Sequence, residues 1–178
     1  MLSRTVPLTL AAVLVGVLVG CTPTPAPSVE PTPAFSSEAE AFAAAEETYR
    51  AYVDALNQVD LSDPATFEEV YAWTTGEANA GARRSFTEMA AEGWSVSGDS
   101  RFDHFSPIEY DEEKILSVVT ADVCLDVTLV DVLDSNGVSQ VPAERVDRQP
   151  ATLTFARQDT LTGLVIASSE ATDAATCD

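Results

Sequence analysis

The chain has 178 residues, and its 29 acidic and 9 basic side chains give it a formal charge of −20 at pH 7. A charge of this sign excludes the nucleic-acid binders, which need clustered lysine and arginine to displace phosphate counterions. It also disfavours contact of the domain surface with anionic lipid headgroups, and it is typical of a solvated surface that resists aggregation.

The N-terminal segment has the pattern of an export signal. Arg4 is the only charged residue among the first 29, and an uncharged, largely apolar run follows it from residue 5 to residue 20. A short positive region followed by a short apolar region is how export signals are built. A membrane-spanning helix needs about 20 predominantly apolar residues, more than this run supplies. Residues 1–20 are therefore predicted to be a signal peptide.

The end of the apolar run carries a specific motif. Leu18-Val19-Gly20-Cys21 resembles the lipobox, the processing site of bacterial lipoproteins. The resemblance implies that a diacylglyceryl group is attached to the Cys21 sulfur and that the signal peptide is cleaved before this residue. It also implies a protein that is lipid-anchored at the cell membrane, on the extracytoplasmic face. An uncleaved anchor helix, or a signal peptide with an incidental cysteine, is the alternative.

Residues 21–36 are predicted to be the lipidated cysteine and a proline- and threonine-rich linker. Five of the chain's 10 prolines lie here. Proline fixes its own backbone angle and keeps the preceding residue extended, so we expect a spacer of up to about 45 Å at 3.1 Å per residue. Residues 37–178 then form a single domain of ordinary size. After cleavage, the 8 remaining basic residues against 29 acidic ones leave a formal charge near −21.

The first half of the domain is predicted to be helical. Ser37 and Glu40 fit a capping box, and a helix with an apolar stripe is expected from there to about Val59. Asp63-Pro64 is the start signal of a second helix. A third helix is predicted over residues 77–91, with Gly93 after it as a stop. The stripe of the first helix consists of Phe42, Ala45, Tyr49, Tyr52, Val53 and Leu56.

The second half is predicted to be strands, because the apolar period changes to two. Residues 102–110 alternate, with Pro107 interrupting any central pairing. The clearest strand runs over residues 115–133, with one apolar face that extends to Leu129. Asn136-Gly137 predicts a hairpin turn in which both residues have positive φ. The chain should return over residues 138–146, and a last strand pair is expected over residues 151–157 and 161–168.

Helices followed by a strand meander predict an α+β fold, with N-terminal helices packed on one face of a curved antiparallel sheet. This order resembles the nuclear transport factor 2-like fold, also called ketosteroid-isomerase-like or cystatin-like. The resemblance implies a cone-shaped apolar pocket between sheet and helices, used in that family by isomerases, dehydratases, cyclases and non-enzymatic modules. A β-sandwich behind a helical stalk is the rival architecture.

Two cysteines remain in the mature domain, and an even pair in an exported chain predicts a disulfide between Cys124 and Cys177. The bridge would cross the polar face of the long strand and hold the C-terminal tail. Two free thiols are the alternative.

His104 is the only histidine, so a catalytic device based on imidazole depends on it. Alternation places it on one face with Phe102, Ile108 and Tyr110, where it could face the pocket. It is therefore a weak catalytic candidate, and a histidine of the core or rim is the simpler interpretation. The sequence has no P-loop, dinucleotide fingerprint or clustered metal ligands, so neither a cofactor nor a metal is predicted.

The apolar face of the long strand offers no general acid or base, which favours binding over catalysis. We therefore expect a module of the cell envelope that binds a small apolar ligand or an envelope protein. Two alternatives remain: an enzyme of the ketosteroid-isomerase-like type that uses His104, and a structural envelope protein. The residues expected to line the pocket are Phe102, Val123, Leu125 and Val127.

Overall fold

The computed structural model describes residues 35–116, 118–173 and 177. The signal peptide, Cys21 and most of the linker lie outside the described residues. Within the described part of the chain, three α-helices precede the main sheet and pack on it, which confirms the α+β class. None of the described helices is both long enough and apolar enough to cross a membrane.

Helix α1 spans Glu38–Leu56 and begins at the predicted cap. The Ser37 hydroxyl accepts a hydrogen bond from the Glu40 backbone N–H at 3.2 Å, while the Glu40 carboxylate accepts from the backbone N–H and the hydroxyl of Ser36. The helix ends three residues before the predicted Val59. Its C-cap, Asn57, exchanges two side-chain hydrogen bonds with the backbone of Ser100, which ties this end of α1 to the entry of the main sheet.

The next two helices are short and mutually packed. Asp63 and Pro64 start a 3-10 turn, Pro64–Thr66, that leads into α2, Phe67–Ala72. Helix α3 spans Gly76–Ala91 and is followed by Gly93, whose φ of 68° marks the predicted stop. Helices α1 to α3 and their connections share a small core of Ala55, Leu61, Phe67, Val70, Tyr71 and Phe86.

Six strands among the described residues form two antiparallel sheets. A small sheet pairs β1, Ser95–Ser97, with β4, Asp131–Leu133. The main sheet has the order β2-β3-β5-β6. Its strands are β2, Arg101–Tyr110; β3, Val119–Asp126; β5, Arg148–Arg157; and β6, Leu164–Ala171.

The main core lies between α1 and one face of the main sheet. Apolar side chains of α1 meet the alternate residues of β3 and β5 that point to the same side. The buried members of this core include Ala45, Tyr49, Val53, Val119, Ala121, Val123, Leu153, Phe155 and Ile166.

The predicted long strand over residues 115–133 is wrong in length. β3 ends at Asp126 because the chain turns at Val127, where the Val130 N–H donates to the Val127 carbonyl. The Arg145 guanidinium donates to the carbonyl oxygens of both residues and fixes this turn. Leu129, expected on the apolar face, is therefore 61% exposed.

The turn at Asn136-Gly137 is present, but its geometry differs from the prediction. Only Gly137 has a positive φ, of 78°. The Asp134 carboxylate accepts from the backbone N–H groups of Asn136 and Val138, which stabilises the turn without a second positive φ. The return segment over residues 138–146 pairs only through one bridge at Ser139 and is not a strand. The last strand pair is present as β5 and β6.

Candidate binding cavity

A cavity of about 660 Å³ opens between the helices and one end of the main sheet. Its walls come from α1, α3 and β6, with one residue of β3 at the base. Its lining has polar and apolar surface in similar amounts, and the larger apolar side chains are Tyr49, Tyr52, Leu56, Phe86, Leu125 and Ile166.

The connection between α2 and α3 builds one side of this cavity. The Thr75 N–H donates to the Ile166 carbonyl at 2.8 Å, and the Ile166 N–H donates to the Trp73 carbonyl at 2.9 Å, so this loop extends the edge of the main sheet. Gly76 has a φ of 52°, and a Cβ there would lie 3.3 Å from the Ala167 carbonyl oxygen. A glycine is therefore required where α3 starts beside β6.

Two tyrosines of α1 provide the aromatic wall. The rings of Tyr49 and Tyr52 stack with their centroids 5.8 Å apart, and the rings of Tyr49 and Phe102 meet edge to face with their centroids 4.9 Å apart. Burial raises the pKa of both hydroxyls well above the ordinary value, so both stay protonated at neutral pH. Neither hydroxyl is hydrogen-bonded within the described part of the chain. Both can therefore donate to a molecule in the cavity.

Small residues on α3 keep the cavity open. Ala78, Gly81 and Ala82 face it, and a Cβ added at Gly81 would meet no other atom within 4 Å. From the sequence alone, Gly81 is a residue that destabilises a helix. In the structure, the absence of a side chain at Gly81 leaves open space. The rim is polar, with Glu77, Arg84 and Ser85 exposed on α3 and two serines of β6 opposite.

Of the four residues predicted to line the pocket, only Leu125 does so. Val123 is fully buried in the main core, and Phe102 packs against that core. Val127 is buried at the turn after β3. The sequence indicated Tyr49 and Tyr52 as core residues, and the structure places them at the boundary between the core and the cavity.

His104 does not face the cavity, so its predicted orientation is wrong. Its φ is 52°, and the pairing of β2 with β3 shifts register between Asp103 and Ser106. Such a bulge breaks the alternation of side chains. Phe105 therefore packs towards Phe155, while the His104 side chain is 58% exposed with its Nδ1 3.1 Å from Asp103 Oδ1.

The predicted cysteine pair is joined in the structure. Cys124 and Cys177 form a disulfide with their Cα atoms 5.6 Å apart, on the sheet face opposite α1. The Arg148 Nε donates to the Cys177 carbonyl at 2.8 Å, which adds a second tie to the tail. Cys124 is only 1% exposed, although it lies on the face predicted to be polar.

One group of potential metal ligands occurs among the described residues. Ligand atoms of Asp103, His104 and Cys124 all lie within 4.8 Å of one another. The Cys124 sulfur belongs to the disulfide, so the group has no thiolate in this state.

No protein-family model matches this chain, and no curated protein matches it either. The solved structures that are similar in fold include two proteins of low sequence identity. One is a protein from Novosphingobium aromaticivorans described as a candidate aromatic ring hydroxylase, with 14% identity over 75% of this chain and 88% of that chain, at a TM-score of 0.48. The other is the VirB8 protein of Agrobacterium tumefaciens, with 8% identity over 76% and 94%, at a TM-score of 0.43. The nuclear transport factor 2-like resemblance thus stays a prediction from element order.

Proposed function

We propose that this protein is a lipid-anchored lipoprotein of the cell envelope whose domain binds a small apolar ligand in the cavity between α1, α3 and β6. This proposal is supported by the cavity itself, whose wall combines aliphatic side chains with the hydroxyl-bearing rings of Tyr49 and Tyr52. Ligand sites are typically apolar clefts of a few hundred cubic ångströms with a few polar groups that fix orientation.

The lining favours binding over catalysis. The charged lining residues, Glu77 and Arg84, are exposed at the rim, so neither lies inside the cavity where a general acid or base would meet a bound molecule. Tyr49 and Tyr52 are neutral donors, suited to one acceptor oxygen on an otherwise apolar molecule. His104 lies outside the lining, which removes the support that alternation gave to a histidine-dependent enzyme.

The anchor and linker would hold this cavity near a membrane without spanning it. Acyl chains contribute about 0.8 kcal/mol per buried methylene, so two or three chains hold a protein firmly. The strongly negative domain should be repelled by anionic headgroups. The extended linker would then keep the domain away from the surface.

The test uses the chain from residue 22 onwards, exported through a signal peptide without a lipobox. Lipid and metabolite mixtures are screened by the shift in melting temperature and by mass spectrometry of the retained compounds. A ligand at about 100 times its Kd should stabilise the chain by about 2.7 kcal/mol.

Two variants locate the binding. Gly81→Leu should fill the cavity and abolish the ligand-induced shift, because space is open at that position. Ala43→Leu introduces the same side chain at an exposed position of α1 outside the cavity lining and should keep the shift. An undiminished shift in Gly81→Leu, or turnover of a screened compound that is lost in His104→Ala, would contradict the proposal.

A further inference from the structure

The sheet face opposite α1 brings together three side chains that the cavity does not use. Asp103 on β2 pairs directly with Cys124 on β3, so the two side chains lie side by side. The bulge at His104 then brings its imidazole to the Asp103 carboxylate, with 3.1 Å between Nδ1 and Oδ1. Cys177 is covalently attached at the same place.

We propose that reduction of the Cys124–Cys177 disulfide converts this cluster into a binding site for a zinc-like divalent cation, with Asp103, His104, Cys124 and Cys177 as ligands. The set supplies one oxygen, one nitrogen and two sulfurs, which are the atoms that tetrahedral zinc sites use. This inference is independent of the cavity and of its ligand.

The geometry requires only small movements. Bond lengths of 2.0–2.3 Å in a tetrahedral site place neighbouring ligand atoms about 3.3–3.8 Å apart. The His104 Nδ1 and Asp103 Oδ1 atoms are already 3.1 Å apart, and the Cys124 sulfur lies within 4.8 Å of both. The disulfide holds the two sulfurs closer than a metal would, so reduction lets Cys177 take its own position.

The chemistry balances with a dithiol as reductant. The dithiol gives two electrons and two protons to the Cys124–Cys177 bond and becomes a disulfide, leaving two protein thiols. The cation then displaces one proton from each thiol as the two metal–sulfur bonds form. Reoxidation reverses both steps and releases the cation.

The surrounding charges suit a dication. Two thiolates and one carboxylate carry three negative charges, which a dication and the Arg148 guanidinium balance. Arg148 donates to both oxygens of Asp103, at 2.8 and 3.0 Å, so it can keep Oδ2 while Oδ1 turns to the metal. Such an outer partner orients a ligating carboxylate. The side chains of Asp103 and His104 are about half exposed, which leaves a path for entry.

The experiment uses the mature chain in detergent, reduced with a phosphine that is then removed under anaerobic conditions, and titrated with Co²⁺. The reduced chain should bind one Co²⁺ with thiolate charge-transfer bands and the intense visible bands of tetrahedral cobalt, and Zn²⁺ should displace it. The oxidised chain should show neither set of bands.

Variants separate coordination from general attraction of cations. His104→Ala and Asp103→Asn should each weaken binding by at least about 100-fold, beyond the 10- to 100-fold loss typical of an outer-shell partner. Asp126→Asn removes a charge from the same face without removing a ligand and should change affinity little. Cys177→Ser leaves Cys124 reduced without any reductant, so it should show a weaker, single-thiolate spectrum even if reduction of the wild type loosens the fold.

Three results would overturn the proposal. The first is a reduced chain and a Cys177→Ser variant that both lack thiolate bands. The second is cobalt binding that survives in His104→Ala and Asp103→Asn, which would mean that the cysteines act alone. The third is equal binding by the oxidised chain.

Discussion

Gly98, after β1, lies directly against the backbone of Leu129. Its φ is 79°, and a Cβ there would overlap the carbonyl oxygen of Leu129. Gly137 has nearly the same φ, 78°, but no atom within 4 Å of an added Cβ. Gly137→Ala should cost about 1–2 kcal/mol for the left-handed backbone alone. Gly98→Ala should cost clearly more, because backbone must also move. Urea unfolding of both variants measures the difference, and equal losses would contradict the close approach.

Cys21 is predicted to be the residue that holds the chain at the membrane. If it is the lipidated N-terminal residue, Cys21→Ala should block incorporation of labelled fatty acid and cleavage of the signal peptide. Intact-mass analysis of the wild type should show a chain beginning at Cys21 with added acyl mass. A mature chain that begins elsewhere without acyl mass would refute the lipobox interpretation.

Single residues were predictable where their role is local. Ser37, Asp63 and Gly93 act within one turn of a helix end, and the structure finds each at the predicted end. His104 was not predictable from strict alternation, because a bulge reverses the face of the residues that follow it until the next register shift. A signal was present in the spacing: Phe102 and Phe105 both pack towards the core although three positions separate them, which a regular strand does not allow.

The disulfide ties Cys177 to β3. It closes a separation of 53 residues, which corresponds to about 4 kcal/mol in the chain-entropy model. The double variant Cys124→Ala/Cys177→Ala should lose stability of this order while keeping its helical circular dichroism, because α1 to α3 lie outside the closed loop. Non-reducing peptide mapping of the wild type should give one linked pair. Two alkylatable thiols in the native exported protein would show that the bridge is not formed.

Elements whose ends are set by local start and stop signals were predicted better than elements whose ends are set by tertiary contacts. The long strand illustrates the difference. Its apolar period continues past Asp126, but Arg145, 15 residues beyond Val130, binds the carbonyl oxygens that a longer strand would have used for pairing. No local sequence pattern indicates a hydrogen bond from a side chain so far along the chain. The length of the strand was therefore overestimated from the sequence.

The cavity is formed by elements that are far apart in the chain, so it could not be located from the sequence. Its side wall depends on Thr75 and Ile166, which are 91 residues apart and pair through backbone atoms. Its opening depends on the absence of a side chain at Gly81. Apolar periodicity identified Tyr49 and Tyr52 as inward-facing but could not show that space remains beside them.

The charge of the domain acts on the whole fold. Residues 37–178 have 8 basic and 28 acidic side chains, and this formal charge of −20 destabilises the compact state through self-repulsion. Added salt screens this repulsion, so NaCl should raise the melting temperature at pH 7. At about pH 5, where carboxylates of ordinary pKa begin to protonate, the same salt should have a smaller effect.

Acid should first stabilise the protein and then unfold it. Hydrogen bonds from Thr128 lower the pKa of Asp126, and those from the backbone N–H groups of Val138 and Asn136 lower the pKa of Asp134. A lowered folded-state pKa gives stability that is present above the unfolded pKa, about 4, and is lost as the pH falls through the folded value. We therefore expect the melting temperature to rise from pH 7 to about pH 5 and to fall below about pH 4. Asp134→Asn should reduce the fall in melting temperature below about pH 4. A melting temperature that falls steadily from pH 7 would show that self-repulsion is unimportant.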